Sequence, residues 1–93
     1  MNESRKAVVT VLGMDRKGII ARVTTLLYEN DINILDITQS IVSGMFTMVL
    51  IADVSSPACD FDATNRALNE LGRELGVEVQ MRRSEIFEAM HEV

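Results

Sequence analysis

The spacing of apolar residues changes character several times along this chain, and the order of those changes limits the folds open to it. Ala7-Val8-Val9-Thr10-Val11-Leu12 is a short, β-branched and nearly unbroken apolar run, the pattern of a strand buried on both faces. Gly13 and Asp15 interrupt it. From Gly18 the spacing becomes helical, with Ile19, Val23, Leu26 and Leu27 on one face, and Asn30-Asp31 ends the segment. Ile32 to Val42 then alternates, placing Leu35, Ile37 and Ile41 on one side and Asp36, Thr38 and Ser40 on the other. Ser43-Gly44 marks a tight turn, and Phe46 to Val54 follows as the second strand of a hairpin. Its Phe46, Met48, Leu50, Ala52 and Val54 share one face. Ser55-Ser56-Pro57 breaks the strand, because proline has no amide hydrogen for a ladder. Phe61, Thr64, Leu68, Leu71 and Leu75 line one face of a second helix, opened by Asp60 or Asp62 and closed by Gly76. Val77, Val79 and Met81 alternate with polar neighbours in a last strand, and Ser84 starts a short C-terminal helix carrying Ile86, Phe87, Met90 and Val93.

The order strand, helix, strand, strand, helix, strand contains two similar βα units, with Leu27 to Ile34 echoing Leu71 to Val79. Right-handed crossovers then predict an α+β, ferredoxin-like βαββαβ sandwich: a four-stranded antiparallel sheet with both helices on one face. The chain of 93 residues divides into an N-terminal tail (1–6), one domain (7–83) and a C-terminal helix (84–93) belonging to the same unit. Thr47, Val49 and Ile51 point away from Phe46 and Met48, so the second sheet face is also partly apolar. Covering it calls for the 84–93 helix, a second subunit, or both, and a homodimer is expected.

Charge narrows the partners. Nine basic residues stand against fourteen acidic ones, a net charge of -5, which disfavours nucleic acid because phosphate-backbone binding needs clustered Lys and Arg. Only Tyr28, Phe46, Phe61 and Phe87 are aromatic, too few for a base-stacking platform. No run approaches the roughly 20 apolar residues of a membrane span, and the N-terminal apolar run is too short for a signal-peptide core. Glu85, Glu88 and Glu92 would repel anionic lipids. The lone Cys59 excludes an internal disulfide and a Cys-rich metal cluster, and a soluble, cytoplasmic protein is expected.

The stretch Gly13-Met14-Asp15-Arg16-Lys17-Gly18-Ile19 concentrates the unusual residues, between the first strand and the first helix. Residues 1–30 carry a net +2 and residues 31–93 a net -7, so this is the relatively basic part of the chain. Unpaired N–H groups at a helix start, a glycine beside them and Arg16 and Lys17 could receive a carboxylate. Turn geometry alone explains the same glycines. A nucleotide-hydrolysing phosphate loop is excluded, since Ile19-Ile20 stands where Lys and a hydroxyl residue are required.

The run Val9 to Val23, with Asn33-Ile34 after it, resembles the ACT domain family over about Ala7 to Arg83, and is closest to small stand-alone members. The 86–90 segment is similar to that subgroup too, and the glycine-cleavage repressor type of ACT protein suggests a regulatory role. The resemblance implies a ferredoxin-like module that binds an amino acid at a homodimer interface. It implies a ligand site in which Asp15, Gly18 and Ile19 of one subunit meet Asn33 and Ile34 of the other.

No catalytic residue, metal site or cofactor is expected. His91 is the single histidine and has no partner residues for a triad or metal centre. Cys59 could have its pKa lowered near the second helix's start, but a semi-buried small residue is the simpler reading. The methionines read as core fillers. The resulting expectation is a non-enzymatic sensor that signals through an unidentified protein partner. A ligand-independent assembly module is the alternative, and an acylphosphatase-like hydrolase using Arg16 and Asn33 is a remoter one.

Overall fold

The computed structural model describes residues 5–83. Strand β1 (Lys6–Met14) leads into helix α1 (Ile19–Glu29), the hairpin β2 (Asn33–Val42) and β3 (Met45–Asp53), helix α2 (Phe61–Leu75) and β4 (Val77–Arg83). The sheet order is β2-β3-β1-β4, and every neighbouring pair is antiparallel. This is the ferredoxin-like arrangement expected from the order of periods. The segments 1–4 and 84–93, including the C-terminal helix expected from Ser84 onward, lie outside the described residues.

Each helix boundary has a local cause. α1 ends in a paired hydrogen-bond motif: Asp31 N–H donates to Tyr28 O (3.0 Å) and Ile32 N–H to Leu27 O (3.0 Å). Asp31 takes φ 60 to close it, a backbone region that Asp enters more readily than most residues. The buried Ile32 and Leu27 lie at the positions whose apolar contact usually completes this motif. α2 opens with the Asp60 carboxylate accepting from Ala63 N–H (3.1 Å), and closes at Gly76, whose φ is 76. Ser43 and Gly44 both have positive φ (53 and 80), which matches the twist of a two-residue hairpin turn.

The core lies between one sheet face and the helices. β1 supplies Ala7, Val9 and Val11, β3 supplies Phe46, Met48, Leu50 and Ala52, and β4 supplies Val77, Val79 and Met81. Ile19, Val23 and Leu27 of α1 and Leu68, Leu71 and Leu75 of α2 close over them. Burying a side chain of this kind contributes roughly 1.5–3 kcal/mol each before conformational entropy is subtracted.

Two details differ from the sequence reading. β1 is not buried on both faces: Thr10 is exposed and Leu12 is 45% exposed, because they point to the side opposite the core. An unbroken apolar run does not reveal which face the helices will take. On β2, Leu35 does not share the face of Ile37 and Ile41 through regular alternation. The register steps from Ile34↔Ala52 to Asp36↔Ile51, so Leu35 is the extra residue of a bulge and Ile34 takes the place expected for it.

Candidate ligand-binding site

The β1–α1 connection is shorter than the glycine-bounded stretch in the sequence. Gly13 and Met14 belong to β1, Gly13 pairing with Phe46 and Val77, so the loop proper is Asp15 to Gly18. Gly13 is required for space: a Cβ there would stand 2.6 Å from Val77 Cγ1 and 2.9 Å from Val77 Cα. Gly18 is required for conformation. Its φ is 89 and ψ -2, in the left-handed region, and a Cβ would meet nothing within 4 Å.

Two hydrogen bonds hold this loop. Asp15 N–H donates to Gly44 O in the β2–β3 turn (3.1 Å), and the Arg16 guanidinium donates through Nη1 to Leu75 O (2.9 Å). Arg16 therefore serves the carbonyl end of α2, where a cation is favoured by the helix dipole. The sequence groups it with Lys17 as attraction for a ligand carboxylate; in the structure Arg16 is engaged by α2, while Lys17 is exposed. Contact between residues 59 positions apart leaves no trace in local spacing.

The start of α1 is polar by default rather than capped. Gly18 has no side chain to accept a hydrogen bond, and the first turn holds no acidic residue. Gly18 O accepts from Arg22 N–H (2.9 Å), so the helix begins there, with its first N–H groups pointing out of the loop. Ile19 is 2% exposed and its side chain belongs to the core, leaving only its backbone for a ligand. Asp15 is exposed beside it.

Asn33 and Ile34 lie elsewhere. Asn33 pairs with Asp53, whose other neighbour is Lys6 at the start of β1, whereas the loop follows Met14 at the far end of that strand. Eight strand steps separate the two ends, roughly 27 Å at the usual rise. One chain thus brings Asp15, Gly18 and Ile19 together, and Asn33 with Ile34, but not the two groups with each other. Asn33 and Ile34 line a shallow depression of about 400 Å³ with Thr24, Thr25, Tyr28 and Ile32. A larger, polar depression of about 670 Å³ lies beside the β3–α2 connection, with Arg5, Ser55, Cys59, Asp60 and Arg83 among its walls. None of the residues Asp15–Ile19 lines either one.

That larger depression offers little chemistry. Burial pushes the Cys59 thiol up, Asp60 and Asp31 raise it further, and Arg83 only partly opposes them. A lowered pKa near the helix start, considered from sequence, is thus reversed by desolvation and by the neighbouring carboxylates, so Cys59 is a poor nucleophile. Arg83 stacks on the Phe61 ring at 4.1 Å, and the Asp60 carboxylate is held by its own helix. Among the described residues, no group of three or more His, Cys, Asp or Glu is arranged to hold a metal ion, and no helix is long and apolar enough to cross a membrane.

Residues 5–82 match the family model described as ACT domain. A UPF0237 protein of Methanococcus maripaludis is 43% identical over 86 residues, covering 92% of this chain and 96% of that protein. A UPF0237 protein of Bifidobacterium longum is 44% identical over 88 residues, covering 95% and 98% of the two chains. Among solved structures, the ACT domain protein from Streptococcus pneumoniae superposes with a TM-score of 0.80 at 31% identity, over 92% of this chain and 97% of that one.

Proposed function

The chain belongs to the ACT domain family, whose modules are regulatory and bind ligands, and from that premise we propose that it senses an amino acid at a two-fold interface between copies and signals through a protein partner. The observation that carries this reading is the distance within one chain between the loop and Asn33. A two-fold partner removes that distance if the β2 strands pair edge to edge and antiparallel. In such a pairing, Asn33 of one copy comes opposite Val42 of the other, next to the Ser43-Gly44 turn that holds Asp15.

The edge itself supports this. β2 is one of the two edge strands of the sheet and is ten residues long, with no Lys, Arg or Pro to discourage pairing. Its Ile37 and Ile41 are 42% and 57% exposed although they share the face of Leu50 and Phe46, so the edge has apolar surface still to bury. At the completed site an amino acid would be read at both charges. Free N–H groups at the start of α1 and the Lys17 ammonium take the carboxylate, while the Asp15 carboxylate and the Asn33 amide oxygen take the ammonium group. The Ile34 side chain bounds the ligand's own side chain. In this reading Asp15, Lys17 and Asn33 serve to hold the ligand's charges, and the protein acts as a regulator, as modules of its family do, rather than as an enzyme. Regulation follows if the ligand prefers one arrangement of the two copies, since equal affinity for both would shift nothing.

A thermal-shift screen against the common amino acids tests the reading. A ligand at about 100 times its Kd adds roughly 2.7 kcal/mol, which for a domain of this size raises Tm by about 10 °C or more. If no amino acid moves Tm, the sensing role is lost and a ligand-independent assembly module replaces it.

A further inference from the structure

The depression that Asn33 and Ile34 share with α1 has walls of one chemical kind. Its lining residues, Thr24, Thr25, Tyr28, Ile32, Asn33 and Ile34, include no charged side chain. Ile32 is 5% exposed and Ile34 is half-buried against the core, so the deepest part is apolar. Thr24 turns its hydroxyl back onto its own helix, donating to Ile20 O at 2.8 Å, which keeps that hydrogen out of the depression. Tyr28 stands on the rim, 80% exposed, with most of its ring left in water. The carboxylates nearest in sequence are engaged elsewhere: Asp31 accepts from the Ser56 hydroxyl, and Glu29 lines the groove between α1 and α2 with Arg22 and Leu71.

We infer that this depression receives the side chain of the amino acid ligand and selects an uncharged, largely apolar one, with Thr25 and Tyr28 setting the preference. The inference rests on the site shared between copies and adds the ligand class to it. Antiparallel pairing of two β2 edges about a two-fold axis perpendicular to the sheet leaves the helices of both copies on one side. The loop of one copy runs into α1 and the depression of the other is walled by α1, so both open on that side. A ligand whose ammonium group is held by Asn33 stands at the mouth of the depression, because Asn33 is itself one of the walls. Its volume of about 400 Å³ lies near the small end of ligand pockets, which run from about 300 to 1,000 Å³, and suits one side chain rather than a larger molecule. A side chain entering it leaves water for walls that carry no countercharge. An apolar one gains by that transfer, whereas an ionised one loses hydration with nothing to replace it. The Tyr28 ring then gains an apolar surface to lie against.

The test is titration calorimetry of the full chain with glycine, leucine, phenylalanine, glutamate and lysine as probes. Leucine and phenylalanine should bind about tenfold or more tightly than glutamate and lysine. Thr25 is exposed on α1, so Thr25→Asp retains the fold while placing a carboxylate in the wall. That variant should weaken leucine about tenfold and strengthen lysine, reversing their order. As a second variant, Tyr28→Ala should weaken phenylalanine about fivefold or more, and glycine, which has no side chain, by less. If glycine, glutamate or lysine binds as tightly as leucine, or Thr25→Asp leaves the order unchanged, the side-chain assignment is overturned while amino-acid sensing stands. If none of the common amino acids binds, the shared-site reading itself fails and this inference fails with it.

Discussion

Replacing Gly18 with alanine isolates the cost of a single backbone angle. The residue stands at φ 89, and an added Cβ would meet no atom within 4 Å, so steric overlap contributes nothing and the cost is conformational. Holding an L-residue in the left-handed region costs about 1–2 kcal/mol. Removing glycine's freedom from the unfolded chain returns about 0.4–1 kcal/mol of that. The net expectation is a loss of about 1 kcal/mol, seen as a fall in Tm of roughly 4–8 °C for a domain of this length. Asparagine tolerates the left-handed region better than alanine, and valine tolerates it worst, so stability should rank Gly18, then Asn, then Ala, then Val. Thermal and urea unfolding of the four proteins measures the order directly. An alanine variant as stable as the parent, or an asparagine variant no better than alanine, would refute the reasoning, because both follow from φ alone. The same series should weaken amino-acid binding, since relaxing φ at residue 18 re-aims the N–H groups that start α1.

Three further outcomes follow from the geometry. Gly13→Ala places a Cβ 2.6 Å from Val77 Cγ1 and 2.9 Å from the Val77 backbone, and the β1–β4 pairing must yield; urea unfolding should show a loss of about 1–3 kcal/mol. The Thr64 hydroxyl is fully buried with no hydrogen-bond partner among the described residues, so Thr64→Val, similar in shape, should hold or raise stability by up to about 1 kcal/mol in the same assay. The hydrogen bonds that Asp53 accepts from the Ser55 hydroxyl and amide, with a smaller contribution from Lys6, hold its carboxyl below the usual aspartate range. A depressed folded pKa stabilises above the ordinary aspartate pKa, and that stability is lost as pH falls through the depressed value. Asp53→Asn should therefore flatten the decline of the urea midpoint as pH falls from about 5 through and below the ordinary aspartate range. An unchanged slope would remove Asp53 from the acid response.

Much of the fold was legible because it rests on local chemistry. The Ser43-Gly44 turn, the Asp60 cap, the Gly76 stop and the alternation of β4 each depend on neighbours within a few residues. The bulge at Leu35 was not legible, since Leu35, Ile37 and Ile41 keep a perfect spacing of two or four and only the pairing with β3 shows the skipped residue. Gly13 looked like a loop glycine, although its reason is Val77 on a strand more than 60 residues away. Arg16 looked like a ligand-binding cation for the same kind of reason, because its partner, Leu75 O, is set by the packing of α2. For the site, residue types identified the loop, and the resemblance to the family added Asn33 and Ile34. Their placement at the end of the sheet opposite the loop became visible only from strand direction and register.

That placement also supplies the most direct test of the shared site. Gly18→Val damages the loop and Asn33→Ala damages the strand start, so each variant alone should bind no amino acid identified by the thermal-shift screen. When the two are mixed and allowed to exchange subunits, half the dimers are mixed, and each of these carries one site with an intact loop from one copy and an intact Asn33 from the other. Titration calorimetry should then recover about a quarter of the wild-type binding capacity at wild-type affinity. If mixing restores no binding while the subunits demonstrably exchange, the loop and Asn33 do not meet across an interface, and the account of a site shared between two copies is wrong.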